Sequence, residues 1–126
     1  REANVSFTWE LETLCRKDSL DLTDADRARI AERVRDARAD RVLITHGTDT
    51  MIQTALAIGD VAKTVVLVGS ISPARFKYSD AEFNIGFALG AVQALPPGVY
   101  VAMNGRIWDP RRVRKNREQN KFEESG

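Results

Sequence analysis

The spacing of apolar side chains along the chain switches between strand-like and helix-like periods. Residues 5–14 alternate loosely between apolar and polar positions in a β-favouring composition, which predicts a strand with one buried face. Apolar residues at helical spacing follow from Thr23, which has Asp26 three residues on in a capping arrangement. The pattern therefore predicts a strand and then a helix that runs to about Ala39.

Two short apolar runs follow, at Arg41–Thr45 and Thr64–Val68, and their continuous apolar character is typical of parallel strands buried on both faces. Between them, Met51–Ile58 carries apolar residues at helical spacing and stops near Gly59. We expect a strand, a short helix and a second strand over this stretch.

The second half of the chain continues the alternation. Residues 70–78 have no period and contain a proline, so we expect a loop. Ser79 with Glu82 repeats the capping-box pattern at the start of a helix that ends before Pro96. A further strand, a turn and a hairpin arm are predicted at 99–103, Asn104-Gly105 and Arg106–Trp108.

Strands that alternate with crossover helices of about ten to fifteen residues indicate right-handed βαβ units stacked into one parallel sheet. We predict an α/β fold, with one domain over residues 1–126 built as a three-layer parallel sheet, flavodoxin-like or Rossmann-like. A length of 126 residues with 43% apolar and 29% charged side chains suits one globular domain. The chain has no Gly-x-Gly-x-x-Gly motif and no phosphate loop, which weighs against a nucleotide site.

Hydropathy, cysteine content and charge each limit which classes of function the chain can have. No apolar stretch reaches the roughly 18 residues needed to cross a bilayer, so we expect no membrane association. One histidine and the lone Cys15 supply too few ligands for a zinc site, and a cytoplasmic location is the simplest expectation. Residues 106–121 hold seven basic side chains against two acidic ones. Without interleaved aromatic residues, this segment indicates a solvated tail or a subunit contact rather than nucleic-acid binding.

The most informative polar residues come directly after the strand Arg41–Thr45. Gly47 allows close approach of the backbone to a ligand, and Thr48, Asp49 and Thr50 supply two hydroxyls and a carboxylate. They would emerge where parallel sheets place their ligands. The alternative interpretation is a polar turn that caps the next helix, and the chemistry alone favours neither.

Four segments resemble the bacterial-type L-asparaginase/glutaminase family. Residues 46–51, His-Gly-Thr-Asp-Thr-Met, resemble its second signature, and residues 63–69 resemble its lysine-led strand. Residues 79–84 resemble the start of a family helix, and residues 18–23 resemble its substrate-carboxylate serine turn. Because these motifs keep the family's order over nearly the whole chain, the sequence is identified as a short-chain member that lacks the C-terminal domain.

The resemblance implies a catalytic set of Thr48, Asp49 and Lys63. Thr48 would be a nucleophilic or water-activating hydroxyl, Asp49 would orient it and bind the substrate α-ammonium, and Lys63 would complete the set. Ser19, with Asp18 beside it, would bind the α-carboxylate. The implied reaction converts L-asparagine to L-aspartate and ammonia through a threonine acyl-enzyme, without cofactor, in a homo-oligomer with a small-molecule substrate and neither nucleic acid nor membrane as partner.

Several departures keep other interpretations open. Leu20 stands where relatives place a substrate-contacting glutamine, and Ala81 where they place a glycine. The family's first signature, a Thr-Gly-Gly-Thr-Ile turn with the primary nucleophile, does not occur, and we expect it in a segment before Arg1. The first alternative is a non-catalytic amino-acid-binding or interaction domain, and the second is an amidotransferase subunit that acts on aminoacyl-RNA.

Other polar residues are given structural roles or none. Without the family pattern, Lys63 would be interpreted as a surface residue and Ser19 as a turn serine. We expect His46 to pack or hydrogen-bond at the strand end, and Asp80 and Asn84 to hold neighbouring loops. Lys115-Asn116 is given no catalytic role.

Overall fold

A computed structural model describes residues 6–15, 17–69 and 80–125. Its helices are α1 (Asp24–Asp36), α2 (Met51–Ile58) and α3 (Ala81–Ala94). Its strands are β1 (Arg41–Thr45), β2 (Thr64–Val68), β3 (Gly98–Met103), β4 (Arg106–Trp108), β5 (Val113–Asn116) and β6 (Lys121–Glu124). Two 3-10 turns occupy Ser19–Asp21 and Pro110–Arg112. None of the helices in these three ranges is long and apolar enough to cross a membrane.

Helix α1 begins with the predicted capping box. The Thr23 hydroxyl accepts a hydrogen bond from Asp26 N at 3.1 Å, and the Asp26 carboxylate accepts one from Thr23 N at 3.0 Å. Two backbone N–H groups that lack helical partners are thereby satisfied. The helix ends at Asp36, three residues before the predicted end.

The predicted strand over residues 5–14 is wrong for its described part, because residues 8–15 have no regular secondary structure. Trp9 and Leu11 are 53% and 70% exposed, so their alternation gives no buried face. A strand is stable only where a neighbouring strand pairs with its backbone, and among the described residues none pairs with this segment. Val5 lies outside the described residues.

Helix α3 begins at Ala81 with Asp80 in the N-cap position and ends at Ala94, ahead of Pro96 as predicted. The predicted cap Ser79 and the predicted loop 70–78 lie outside the described residues. The helix crosses behind the sheet and returns the chain to β3.

The main sheet has the order β1-β2-β3-β4. The first three strands are parallel, with Arg41 opposite Thr64 and Thr45 opposite Val68. Strand β4 is antiparallel to β3. The connecting residues Asn104 and Gly105 have φ values of 54° and 80°, which fits the predicted two-residue hairpin because a type I′ turn needs positive φ at both positions.

The core has two halves, one on each face of the sheet. Val65 and Leu67 point towards α1 and α2, whereas Val66 and Val68 point towards α3. This alternation is the period-2 geometry of a strand. The structure therefore confirms the predicted three-layer α/β fold.

The two crossovers between parallel strands have opposite hands. The chain moves across the sheet in one direction, from β1 to β2 to β3, but α2 and α3 lie on opposite faces. The expectation that every βαβ unit is right-handed is therefore wrong for one of them. Two right-handed crossovers in the same direction would place both helices on one face and leave the other face of the sheet bare.

The basic segment is folded, so its interpretation as a tail is wrong, although all of its basic side chains except Lys115 are exposed. Strands β5 and β6 pair antiparallel, and Val113 and Phe122 are only 5% and 7% exposed within the core on the α1 and α2 face. Burial of these two apolar side chains fixes the hairpin beside the loop that follows β1.

Candidate active site

The loop after β1 lies at the carboxyl edge of the sheet, as predicted. His46 N donates to Val68 O at 2.9 Å, which extends the pairing of β1 and β2 by one residue. A Cβ on Gly47 would lie 2.8 Å from Ser19 Cβ, and one on Gly69 would collide with His46 O. Both glycines are therefore needed where three backbone segments meet.

Lys115 joins Thr48 and Asp49 at this edge. Its Nζ lies 2.7 Å from Thr48 Oγ1 and 2.7 Å from Asp49 Oδ1. The Lys115 side chain is 9% exposed and Thr48 is 8% exposed, whereas the Asp49 side chain is 31% exposed. The group thus places a hydroxyl, an amine and a carboxylate within hydrogen-bonding distance, with the carboxylate at the surface.

Lys115 is the residue of this cluster that the sequence analysis missed. It lies in a run of basic residues, and such runs are usually solvated. The available signal was the alternation of β5, in which Val113 and Lys115 share one face. An apolar residue two positions before a lysine indicates that the lysine side chain extends over the buried face.

The structure contradicts the predicted grouping of Lys63 with Thr48 and Asp49. Lys63 immediately precedes β2, whereas Thr48 follows β1, and parallel strands of five residues separate those edges by about 16 Å. Its Nζ donates to Val34 O at 2.8 Å and also to Ala37 O. Lys63 therefore binds the last carbonyls of α1, a common position for a lysine at a helix C-terminus.

Ser19 lies against the loop that follows β1. It is 3% exposed, its side chain faces Gly47, and its carbonyl accepts a hydrogen bond from Thr50 Oγ1 at 2.6 Å. Asp18 is exposed, and its carboxylate accepts from Leu20 N at 3.1 Å, which caps the 3-10 turn. Substrate binding by Asp18 and Ser19 stays a prediction.

The loop is not a helix cap. Thr50 is in the N-cap position of α2 but makes no side-chain capping hydrogen bond, and its hydroxyl donates to Ser19 O. Thr48 and Asp49 contact Lys115. The polar side chains of this loop thus join the 3-10 turn and the β5–β6 hairpin to the sheet edge.

His46 hydrogen-bonds at the end of β1, as predicted. Its Nδ1 lies 2.7 Å from Gly47 O and its Nε2 lies 2.7 Å from Thr54 Oγ1. Because a carbonyl can only accept, Nδ1 carries the proton and Nε2 accepts from the Thr54 hydroxyl. Burial lowers the pKa of His46, so the neutral form is favoured in the folded protein.

Asn84 joins three segments, as expected of a structural residue. It is fully buried, its Nδ2 donates to Gly69 O at 2.9 Å and Asp80 Oδ2 at 3.0 Å, and its Oδ1 accepts from Asn104 N at 3.0 Å. The end of β2, the start of α3 and the β3–β4 turn are thereby held together.

A second cation, Arg117, reaches Asp49 from the surface. Its Nε lies 3.7 Å from Asp49 Oδ1, and its Nη2 donates to Asp49 O at 3.4 Å. The Arg117 side chain is 58% exposed.

Within the three described ranges, no group of three His, Cys, Asp or Glu side chains could hold a metal ion.

Comparison with known proteins identifies the family. The family model "Asparaginase, N-terminal" matches residues 2–123. The chain belongs to the asparaginase family. The glutaminase-asparaginase of Pseudomonas fluorescens biotype A is 37% identical over 93 residues, which cover 69% of this chain and 26% of that protein. This chain spans only about a quarter of the length of that relative.

Two further similar proteins are named for different activities. The crystal structure of the probable cytoplasmic L-asparaginase from Campylobacter jejuni has a TM-score of 0.80 and 32% identity, covering 90% of this chain and 40% of its own. A glutamyl-tRNA(Gln) amidotransferase chain from Methanococcus vannielii is 40% identical over 74 residues, covering 56% of this chain and 17% of its own. The chain is therefore similar both to an asparaginase and to an amidotransferase subunit.

Proposed function

We propose that this chain carries the active site of an L-asparaginase-type amidohydrolase, which converts L-asparagine to L-aspartate and ammonia. The observation that carries the proposal is the position of Lys115 Nζ, 2.7 Å from both Thr48 Oγ1 and Asp49 Oδ1. Metal-free amide hydrolysis needs a hydroxyl, a group that takes its proton and a charge that holds that group in place. These three residues supply one of each, and Lys115 takes the role first given to Lys63.

The chemistry assigned to this group is proton transfer around an acyl-enzyme. The Lys115 ammonium first releases a proton to solvent. Its Nζ then accepts the proton of the Thr48 hydroxyl, and Asp49 holds the ammonium that this transfer restores. The deprotonated oxygen attacks the amide carbon and forms a tetrahedral intermediate. Its collapse breaks the C–N bond while the leaving nitrogen takes the proton that Lys115 accepted, so that ammonia is released and a threonine ester remains. Water then hydrolyses this ester to aspartate and restores the Thr48 hydroxyl.

Substrate binding is assigned to both ends of the loop. Asp49 is exposed enough to bind the α-ammonium, since its side chain is 31% exposed beside the buried Thr48. Ser19, which packs against Gly47, is the candidate for the α-carboxylate, with Asp18 holding its turn. The proposal includes a homo-oligomer and a cytoplasmic location. The similarity to a probable cytoplasmic L-asparaginase supports the location.

The test is ammonia release from L-asparagine by the full-length native protein and its variants. Thr48→Val and Lys115→Met should each lower kcat by about 10²–10⁴, the usual contribution of general acid–base groups. Lys63→Met is the matched control, because it removes a lysine that contacts only α1 carbonyls among the described residues. Undiminished turnover by Lys115→Met would remove Lys115 from the mechanism.

Calorimetry with aspartate separates the proposal from a non-catalytic amino-acid-binding domain. Binding of aspartate without ammonia release from asparagine would support that alternative. A second candidate, an amidotransferase activity on aminoacyl-RNA, is favoured by the 40% identity to the amidotransferase chain. RNA binding that weakens steeply with salt, together with amide transfer, would support it.

A further inference from the structure

Arg117 places a second positive charge on the carboxylate that is proposed to bind the substrate ammonium. Its guanidinium contacts Asp49 twice, at the carboxylate through Nε (3.7 Å) and at the backbone carbonyl through Nη2 (3.4 Å). The first of these contacts is made to Oδ1, the same oxygen that Lys115 holds at 2.7 Å. One carboxylate therefore already faces two cations.

This arrangement opposes a third positive charge. An α-ammonium that binds Asp49 must either displace Arg117 or bind the other oxygen with the guanidinium a few ångströms away. Like charges at such distances repel, and solvent around the 58% exposed Arg117 side chain weakens this repulsion without removing it. A ligand that has no ammonium does not meet this repulsion.

We propose that Arg117 is a specificity-determining residue that weakens recognition of the ligand's α-ammonium by Asp49. The site then distinguishes less between an α-amino acid and the same dicarboxylic skeleton without its amino group. The inference rests on the proposed function, because it takes Asp49 as the ammonium-binding group. It extends the substrate class to monoamides of dicarboxylic acids that lack an α-amino group.

The chain offers a close control in the same hairpin. Arg114 is 65% exposed, similar to the 58% of Arg117, and its Nε donates to Glu123 Oε2 at 2.7 Å. The Arg114→Gln and Arg117→Gln variants lose the same charge, but only the second loses a contact with Asp49. A general change in net charge would affect both variants equally.

The experiment measures the Kd of aspartate and of succinate by calorimetry, at low salt, on the full-length protein. The two ligands differ only in the α-ammonium. In Arg117→Gln, the ratio of the succinate Kd to the aspartate Kd should rise about two- to fivefold, the range set by a partly exposed ion pair. Arg117→Lys and Arg114→Gln should both keep the wild-type ratio.

Three results would overturn the inference. The first is an unchanged ratio in Arg117→Gln, and the second is an equal rise in Arg114→Gln. The third is equal weakening of both ligands, which would show that Arg117 binds a shared carboxylate or merely supports the loop. If asparagine turnover is normal in these cases, only the role of Arg117 falls. If the wild type neither binds these ligands nor releases ammonia, the proposed function fails as well.

Discussion

At the scale of single residues, the site depends on how one carboxylate is shared. Asp49 holds Lys115 at 2.7 Å and is contacted by Arg117 at 3.7 Å, whereas Thr48 contacts Lys115 from the buried side. The lysine is thereby fixed between a nearly buried hydroxyl and an accessible carboxylate. In the proposed mechanism, proton transfer and ligand binding are separated over two adjacent residues of one loop.

The neighbouring His46 should make stability depend on pH. Its pKa is lowered in the folded state by burial, whereas the unfolded value is about 6.5. The unfolded state therefore binds a proton first as pH falls, so the stabilisation is complete above about pH 7 and is lost progressively below the unfolded pKa. The free energy of unfolding, measured by urea denaturation, should fall between pH 7.5 and pH 5.5.

His46→Gln is the control for this titration. Glutamine keeps a donor and an acceptor near Gly47 and Thr54 but does not titrate, so the variant should show a smaller drop over the same range. An identical pH dependence in both proteins would contradict the assignment to His46.

At the scale of elements, cationic side chains hydrogen-bond the carbonyl groups at the C-terminal ends of two helices. Lys63 binds the last carbonyls of α1, and Arg41 Nη1 donates to Val92 O at 2.8 Å and Leu95 O at 3.0 Å at the end of α3. Carbonyls in the last turn of a helix have no helical partners. These two cations therefore have structural roles at the edge of the sheet opposite the site.

Lys63→Met should lower the free energy of unfolding by about 1–2 kcal/mol, because the carbonyls lose a charged donor. Thermal or urea denaturation measures the change. The control is Lys17→Met, since Lys17 makes an exposed ion pair with Asp26 and its loss should cost less stability than the loss of Lys63. Equal stability losses in the two variants would contradict the role given to Lys63.

At the scale of the whole molecule, a hairpin far along the chain completes the site begun at β1. Lys115 and Asp49 are 66 residues apart in sequence. Phe122 and Val113 hold β5 and β6 in the core, with Phe122 in β6 directly opposite Lys115. The position of the amine thus depends on packing on the α1 and α2 face.

Phe122→Leu should therefore lower kcat by about tenfold, because a displacement of an ångström at a catalytic group is enough to do so. Ammonia release at saturating asparagine measures the effect. Val92→Ala removes buried methyl groups from α3 on the opposite face and should reduce stability without a comparable loss of kcat. A larger loss of kcat in Val92→Ala would show that hairpin packing does not control Lys115.

The sequence alone determined the elements whose signals are local. The capping box at Thr23, the helix Met51–Ile58, the buried strand Thr64–Val68 and the Asn104-Gly105 turn all depend on neighbours within a few residues, and each was predicted. Strand Arg41–Thr45 was also predicted, but its residues are only partly buried. The position of Thr48 and Asp49 at the carboxyl edge also followed, because a buried parallel strand must end there.

Only the tertiary structure decided the contacts between distant segments. It placed Lys115, and not Lys63, beside Thr48. It also showed that residues 8–15 do not form the predicted strand. It also gave one crossover the less common hand. Local periodicity fixes which face of an element is apolar, but which elements meet depends on how the whole chain buries those faces together.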